Sequence, residues 1–224
     1  MGLVFVAFIL VAGGVAVASL YYSQNARLKR TLRQAPRVSI ENFSERNPAK
    51  IVGSLVYIGE PLNSPLTGRT CAYYEILVEE YHSGTDDDGY WETMIQESQG
   101  QDFVIEDDTG TAIVNPIGAQ VALTVDSRTK SGTFDAPTEQ ERNYLNSHGQ
   151  EGEGWWGFNK SLRYREGILE AGEAVAVLGR GVKEPDPDGV EQARGYRSAP
   201  PMRLRMRGSQ KGPLLISDDT STVQ

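Results

Sequence analysis

The single cysteine, Cys71, follows Arg69 at a loop-to-strand junction. A neighbouring cation lowers a thiol's pKa and makes the thiolate a nucleophile. Of the two histidines, His82 stands eleven residues further along and falls on the opposite face of a continuous strand by parity, while His148 is remote. Burial as a small hydrophobe is therefore the better reading of Cys71. One Cys and two His also fall far short of a zinc finger or a RING, so no metal centre and no cofactor is expected. Asp86, Asp87 and Asp88 precede Gly89; three consecutive carboxylates lack the alternating spacing by which a calcium loop converges its ligands, and read as a solvated hairpin tip. Asp107-Asp108-Thr109-Gly110 reads as a second hairpin turn, with glycine at positive φ.

Two surfaces have the composition of contact sites. Trp155, Trp156 and Phe158 cluster in a glycine-rich loop; exposed, they form a docking patch, and buried, they plug one end of a core. Arg203, Arg205 and Arg207 alternate with Leu204 and Met206, so in a strand all three guanidiniums share one face, available to anionic head groups, to an acidic partner, or to the domain's own acids. A Ser-His-Asp set, a P-loop, a dinucleotide fingerprint and an H-E-x-x-H motif are all missing from the sequence. Outside residues 27–37, 17 basic residues stand against 30 acidic ones, a net of −13, which disfavours nucleic acid as a partner.

The element that positions these residues begins with Leu3 to Tyr22, twenty residues without a charge. As a helix rising about 1.5 Å per residue this run matches the roughly 30 Å hydrocarbon core. Leu3, Phe5 and Phe8 fall in its apolar part, Tyr21 and Tyr22 at its interfacial end, and Gly14 and Ala18 form a small-xxx-small pair that suits self-association. Ala16-Val17-Ala18 resembles a signal-peptidase site, but no Lys or Arg precedes the apolar run as a signal peptide requires. The basic residues Arg27, Lys29, Arg30, Arg33 and Arg37 follow it, which predicts a single-pass anchor with the N-terminus outside and the C-terminal domain in the cytoplasm.

Beyond a stalk that Pro36 ends, short runs of β-forming residues alternate with turns. Strands are expected at 51–52, 55–58, 72–82, 90–98, 102–106, 111–115, 121–125, 164–169, 174–179, 201–207 and 214–216. Thr138 and Glu141 make a capping box and Gly149 a stop, predicting one short helix over 138–148; 183–189 reads as loop. The fold class is mainly β: an antiparallel barrel-like or sandwich-like domain with one short helix, preceded by a single transmembrane α-helix. The divisions are 1–24 anchor, 25–44 basic stalk, 45–218 β domain and 219–224 disordered tail.

Three ordered stretches carry a resemblance. The first is Ser64-Pro65-Leu66-Thr67-Gly68-Arg69-Thr70-Cys71 with Tyr73-Tyr74-Glu75 and Val78-Glu79-Glu80-Tyr81; the second runs from Phe103 to Gly110. The third is Tyr164 to Leu169, including Glu166, with Gly172-Glu173 and Val175 to Gly179. Together the sequence resembles the GIDE-type domain, also called BAM or "beside a membrane", found in mitochondrial GIDE-type E3 ubiquitin ligases and in prokaryotic membrane proteins. The likeness spans 45–218. The ligases add a second membrane helix and a RING, whose eight Cys/His ligands this sequence does not hold. The resemblance therefore implies a non-enzymatic, membrane-tethered interaction or scaffold module, with the bilayer and a membrane or cytoplasmic protein as partners; the alternative is an accessory subunit whose partner supplies the catalytic groups.

Overall fold

The computed structural model describes residues 8–10, 15–83, 89–132, 136–150, 161–186 and 202–224, with the backbone alone for 8–10 and 15–20. The chain is mainly β. One antiparallel sheet of five strands runs in the order β1 (Phe8–Leu10), β6 (Tyr90–Gly100), β5 (Tyr73–His82), β11 (Leu162–Leu169), β10 (Ser127–Ser131). A second sheet of eight runs β13 (Gly181–Pro185), β14 (Met202–Arg207), β8 (Gly110–Asn115), β7 (Phe103–Asp107), β2 (Ala49–Tyr57), β12 (Ala174–Gly179), β15 (Leu215–Ser217), β9 (Gln120–Val121). Its β14–β8 and β15–β9 contacts are parallel. A short pair joins β3 (Leu62–Asn63) to β4 (Thr70–Cys71). Both larger sheets end on different strands, so neither closes into the barrel-like form expected.

Alternation builds the cores. Ile51, Leu55, Phe103, Ile105, Val114, Val175, Val177, Leu204 and Met206 fill one face of the eight-stranded sheet. On its other face Val52 and Ala176 pack against Leu28 and Leu32 of helix α1 (Val15–Gln34). The five-stranded sheet buries Ile76, Val78, Ile95, Tyr164 and Ile168 beneath Tyr144 and Leu145 of helix α2 (Glu139–Ser147). Helix α2 has the expected capping box at Thr138 and Glu141, and Gly149 sits at φ 71°.

The apolar N-terminal run departs from the single helix expected. Phe8–Leu10 pairs with the edge of β6, α1 starts only at Val15, and among the described residues no helix is long and apolar enough to cross a membrane. An open strand edge presents unpaired N–H and C=O groups that even a three-residue segment can join. Leu3, Phe5 and Gly14 lie outside the described residues. The basic half of α1 is a packed element, with Leu32 wholly buried. Residues 219–224, expected as a free tail, fold back on it. Lys29 Nζ meets Asp219 at 2.8 Å, Thr222 is fully buried, and the buried Lys50 ammonium donates to the carbonyls of Thr222 and Gln224 at 3.2 Å each.

Other corrections concern polar strands and turns. Ser127–Ser131 and Gly181–Pro185 are edge strands, held by backbone pairing with no hydrophobic pattern to announce them. Gly110 is not among the positive-φ glycines. Its turn is set by Asp107, whose Oδ1 accepts from the N–H groups of Thr109 and Gly110 at 2.8 and 3.1 Å.

Candidate functional site

Strand β14 places its arginines as period two requires. Leu204 and Met206 enter the core, Arg203 and Arg205 lie partly buried on the outer face, and Arg207 is exposed. Glu184 on the neighbouring β13 accepts from Arg203 Nε at 3.0 Å and from Arg205 Nε at 3.0 and 3.1 Å. Asp186 and Asp102 stand 3.6 Å from the two guanidiniums. The Arg205 guanidinium, reinforced by Arg203, holds the Glu184 carboxyl below its usual range. Beside this network opens a cleft of about 850 Å³, lined by Arg180, Arg205, Arg207 and Lys211 against Glu45 and Glu184. Among the described residues four cations face two acids there, and the exposed Val182 also lines the cleft. Arg180 donates to the Arg46 carbonyl at 2.8 Å, which leaves Arg207 and Lys211 as the exposed cations of the cleft.

A second polar cluster was not foreseen. Buried Glu97 on β6 accepts from the hydroxyls of Tyr74 and Tyr144, both at 2.8 Å. His148 Nδ1 lies 2.8 Å from the Tyr144 carbonyl, an acceptor only, so that nitrogen carries the proton. Its Nε2 stands 3.1 Å from Glu97 without the direction of a hydrogen bond. Burial, with Glu97 close by, pushes both phenols well above the usual tyrosine range, so both stay protonated donors. Glu97 stands on β6 far in sequence from Tyr144 and His148, so only the packing of α2 against the sheet brings these groups together.

The motif residues 64–71 form a closed support. Glu166, 1% exposed, accepts from Leu66 N–H at 3.1 Å and from the Thr67 hydroxyl at 2.5 Å, while the Ser64 and Thr67 hydroxyls meet at 2.7 Å. Gly68 at φ 69° turns the loop that Pro65 enters, and Gly172 at φ 88° turns β11 into β12. A Cβ on Gly179 would sit 2.2 Å from the Leu214 side chain. Cys71 is fully buried. Desolvation, with Glu166 and Glu170 near, pushes its thiol up to about 12, and Arg69 is instead taken by Glu170. Tyr73 and Glu75 are likewise raised by burial. Among the described residues no three His, Cys, Asp or Glu side chains gather as a metal site. Trp155, Trp156, Phe158 and the Asp86–Asp88 run lie outside the described residues.

A family profile matches residues 74–189, just over half of the sequence: GIDE, described as E3 ubiquitin ligase. The chain belongs to the GIDE family. No curated protein and no solved structure matches it. The GIDE match takes in the Glu97 cluster, Glu166 and Glu184; the Ser64–Cys71 loop and the β14 arginines lie outside it.

Proposed function

We propose that this GIDE-family chain is a membrane-tethered interaction module, anchored by its uncharged N-terminal run with the β domain in the cytoplasm, that takes an acidic segment of a partner protein into the β13–β14 cleft. One observation carries the reading: among the described residues the cleft sets four cations against two acids in a chain that is acidic overall, with Arg207 and Lys211 exposed. Arg203 and Arg205 are already neutralised by Glu184, Asp186 and Asp102, so they stiffen the wall, and the exposed pair supplies attraction. Exposed Val182 adds apolar contact beside them.

The family's description as an E3 ubiquitin ligase supports a second reading, in which the bound partner carries the transfer chemistry and this chain positions it. Binding by purified full-length protein in nanodiscs tests the first reading. A glutamate-rich probe peptide should bind with an affinity that falls as salt rises, and the double substitution Arg207→Gln/Lys211→Gln should weaken it by about tenfold, as for two exposed charge contacts. Unchanged binding sinks the cleft assignment. Discharge of an E2–ubiquitin conjugate by the chain alone would sink the non-enzymatic part.

A further inference from the structure

The face of the five-stranded sheet turned away from α2 carries a block of four cations. Register sets Arg128 beside Arg165 and Lys130 beside Arg163 on adjacent strands, so the four side chains form a two-by-two square. Arg128 and Lys130 are exposed on the edge strand β10, and Arg163 and Arg165 lie partly buried next to them. Among the described residues two acids share the face. Glu75 is occupied by the Tyr21 hydroxyl at 2.7 Å, and the fully buried Glu79 takes Arg163 Nε at 2.7 Å and lies 3.5 Å from Arg165 Nε. Aromatic rings lie against the inner cations: Trp91 under Arg163 at 4.1 Å and Tyr22 near Arg165 at 5.3 Å. Four cations against two acids make this face positive in a domain of opposite sign.

Two further observations bear on what it faces. Glu79 Oε1, Thr93 Oγ1 and Arg165 Nε are buried here without a hydrogen-bond partner, and Thr93 pairs with Glu79 across the strands. Orphaned polar atoms are costly, and here they lie beneath the cation block, inside the sheet's own packing. Tyr21 and Tyr22, which close the uncharged run, touch it at Glu75 and Arg165.

We propose that this face lies on an anionic membrane leaflet, with Arg128, Lys130, Arg163 and Arg165 receiving the phosphates of acidic phospholipids and with Trp91 and Tyr22 at the interface. The proposal rests on the membrane-tethered reading above: a chain held to the bilayer through its N-terminal run keeps Arg165, which Tyr22 touches, and with it the block, close to the head groups. The exposed Arg128 and Lys130 make the first contact with the head-group phosphates.

The test uses full-length protein in nanodiscs of phosphatidylcholine alone or mixed with phosphatidylserine, read by amide hydrogen exchange of 127–131 and 162–166. Exchange should slow in the serine-containing discs by about five-fold per engaged cation. Arg128→Gln/Lys130→Gln should remove most of that difference; both residues are exposed, and an unchanged thermal midpoint certifies the fold. Equal exchange in the two discs overturns the proposal, as does equal protection by inorganic phosphate in discs of phosphatidylcholine alone. A chain that does not co-purify with either disc overturns the tether itself, so the two failures are read separately.

Discussion

At the scale of single residues, the fold uses its acids as acceptors that tie loops and helices down. Glu97 receives two tyrosine hydroxyls, so Tyr144→Phe removes one donor from a buried carboxylate and should lower stability by about 1–3 kcal/mol in chemical denaturation. Loss of the hydroxyl with no change in stability would mean the network is slack. Cys71 is the opposite case, a group whose chemistry is switched off. Full burial and a thiol pushed up to about 12 leave it almost wholly protonated at neutral pH. Alkylation of the native protein should therefore proceed only as fast as the protein opens, and should become immediate in denaturant.

At the scale of elements, two local devices decide whether the framework holds. The capping box on α2 satisfies the Glu141 N–H through Thr138 Oγ1 at 3.2 Å and the Thr138 N–H through Glu141 at 2.7 Å. Thr138→Ala should cost about 1 kcal/mol, measured as a shift of the denaturation midpoint. Strand β2 passes from pairing with β12 to pairing with β7 around Ser54. There the backbone runs so close to its neighbour that a Cβ on Gly53 would sit 2.1 Å from the Glu106 carbonyl oxygen. Gly53→Ala must push two strands apart, and should destabilise by several times the cost of losing the cap, by the same measurement.

At the scale of the whole molecule, helix α1 and residues 219–224 are joined. Lys29 and Ser221 hold the Asp219 carboxyl at about 2 against an ordinary 3.8. Folding favours its charged form, so the contribution is fully present above about pH 4 and is lost as pH falls through about 2. The stability gap between wild type and Asp219→Asn should accordingly shrink as the pH is lowered from 5 to 2. Attachment to the membrane is also a whole-molecule property. Under the proposed topology, a reporter fused at Gln224 should be active only in the cytoplasm. Neutralising Arg27, Lys29, Arg30, Arg33 and Arg37 while adding lysines before Leu3 should invert or scramble it. Activity outside the cytoplasm in the unaltered chain would end that reading.

Whatever is written in short-range pattern was legible from the sequence. Runs of β-forming residues between turn signals marked β5, β7, β8, β11 and β12; the Thr138–Glu141 pair marked the start of α2; and the ordered motifs pointed to the GIDE family. The alternation of Arg203, Arg205 and Arg207 placed them on one strand face, but not what that face meets. The tertiary structure decided the rest, because those features are made by pairings between distant residues. Strands β10 and β13 are polar and exist because β11 and β14 offer them backbone partners. The closure of residues 219–224 depends on Lys29 and Lys50, far away in the chain. Glu184 finds Arg205, Glu97 finds Tyr144, and Arg128 meets Arg165 only through register and helix crossing. A chain's periodicity reports which way each side chain points along its own strand; which other side chain it then meets is set by the order in which the strands assemble.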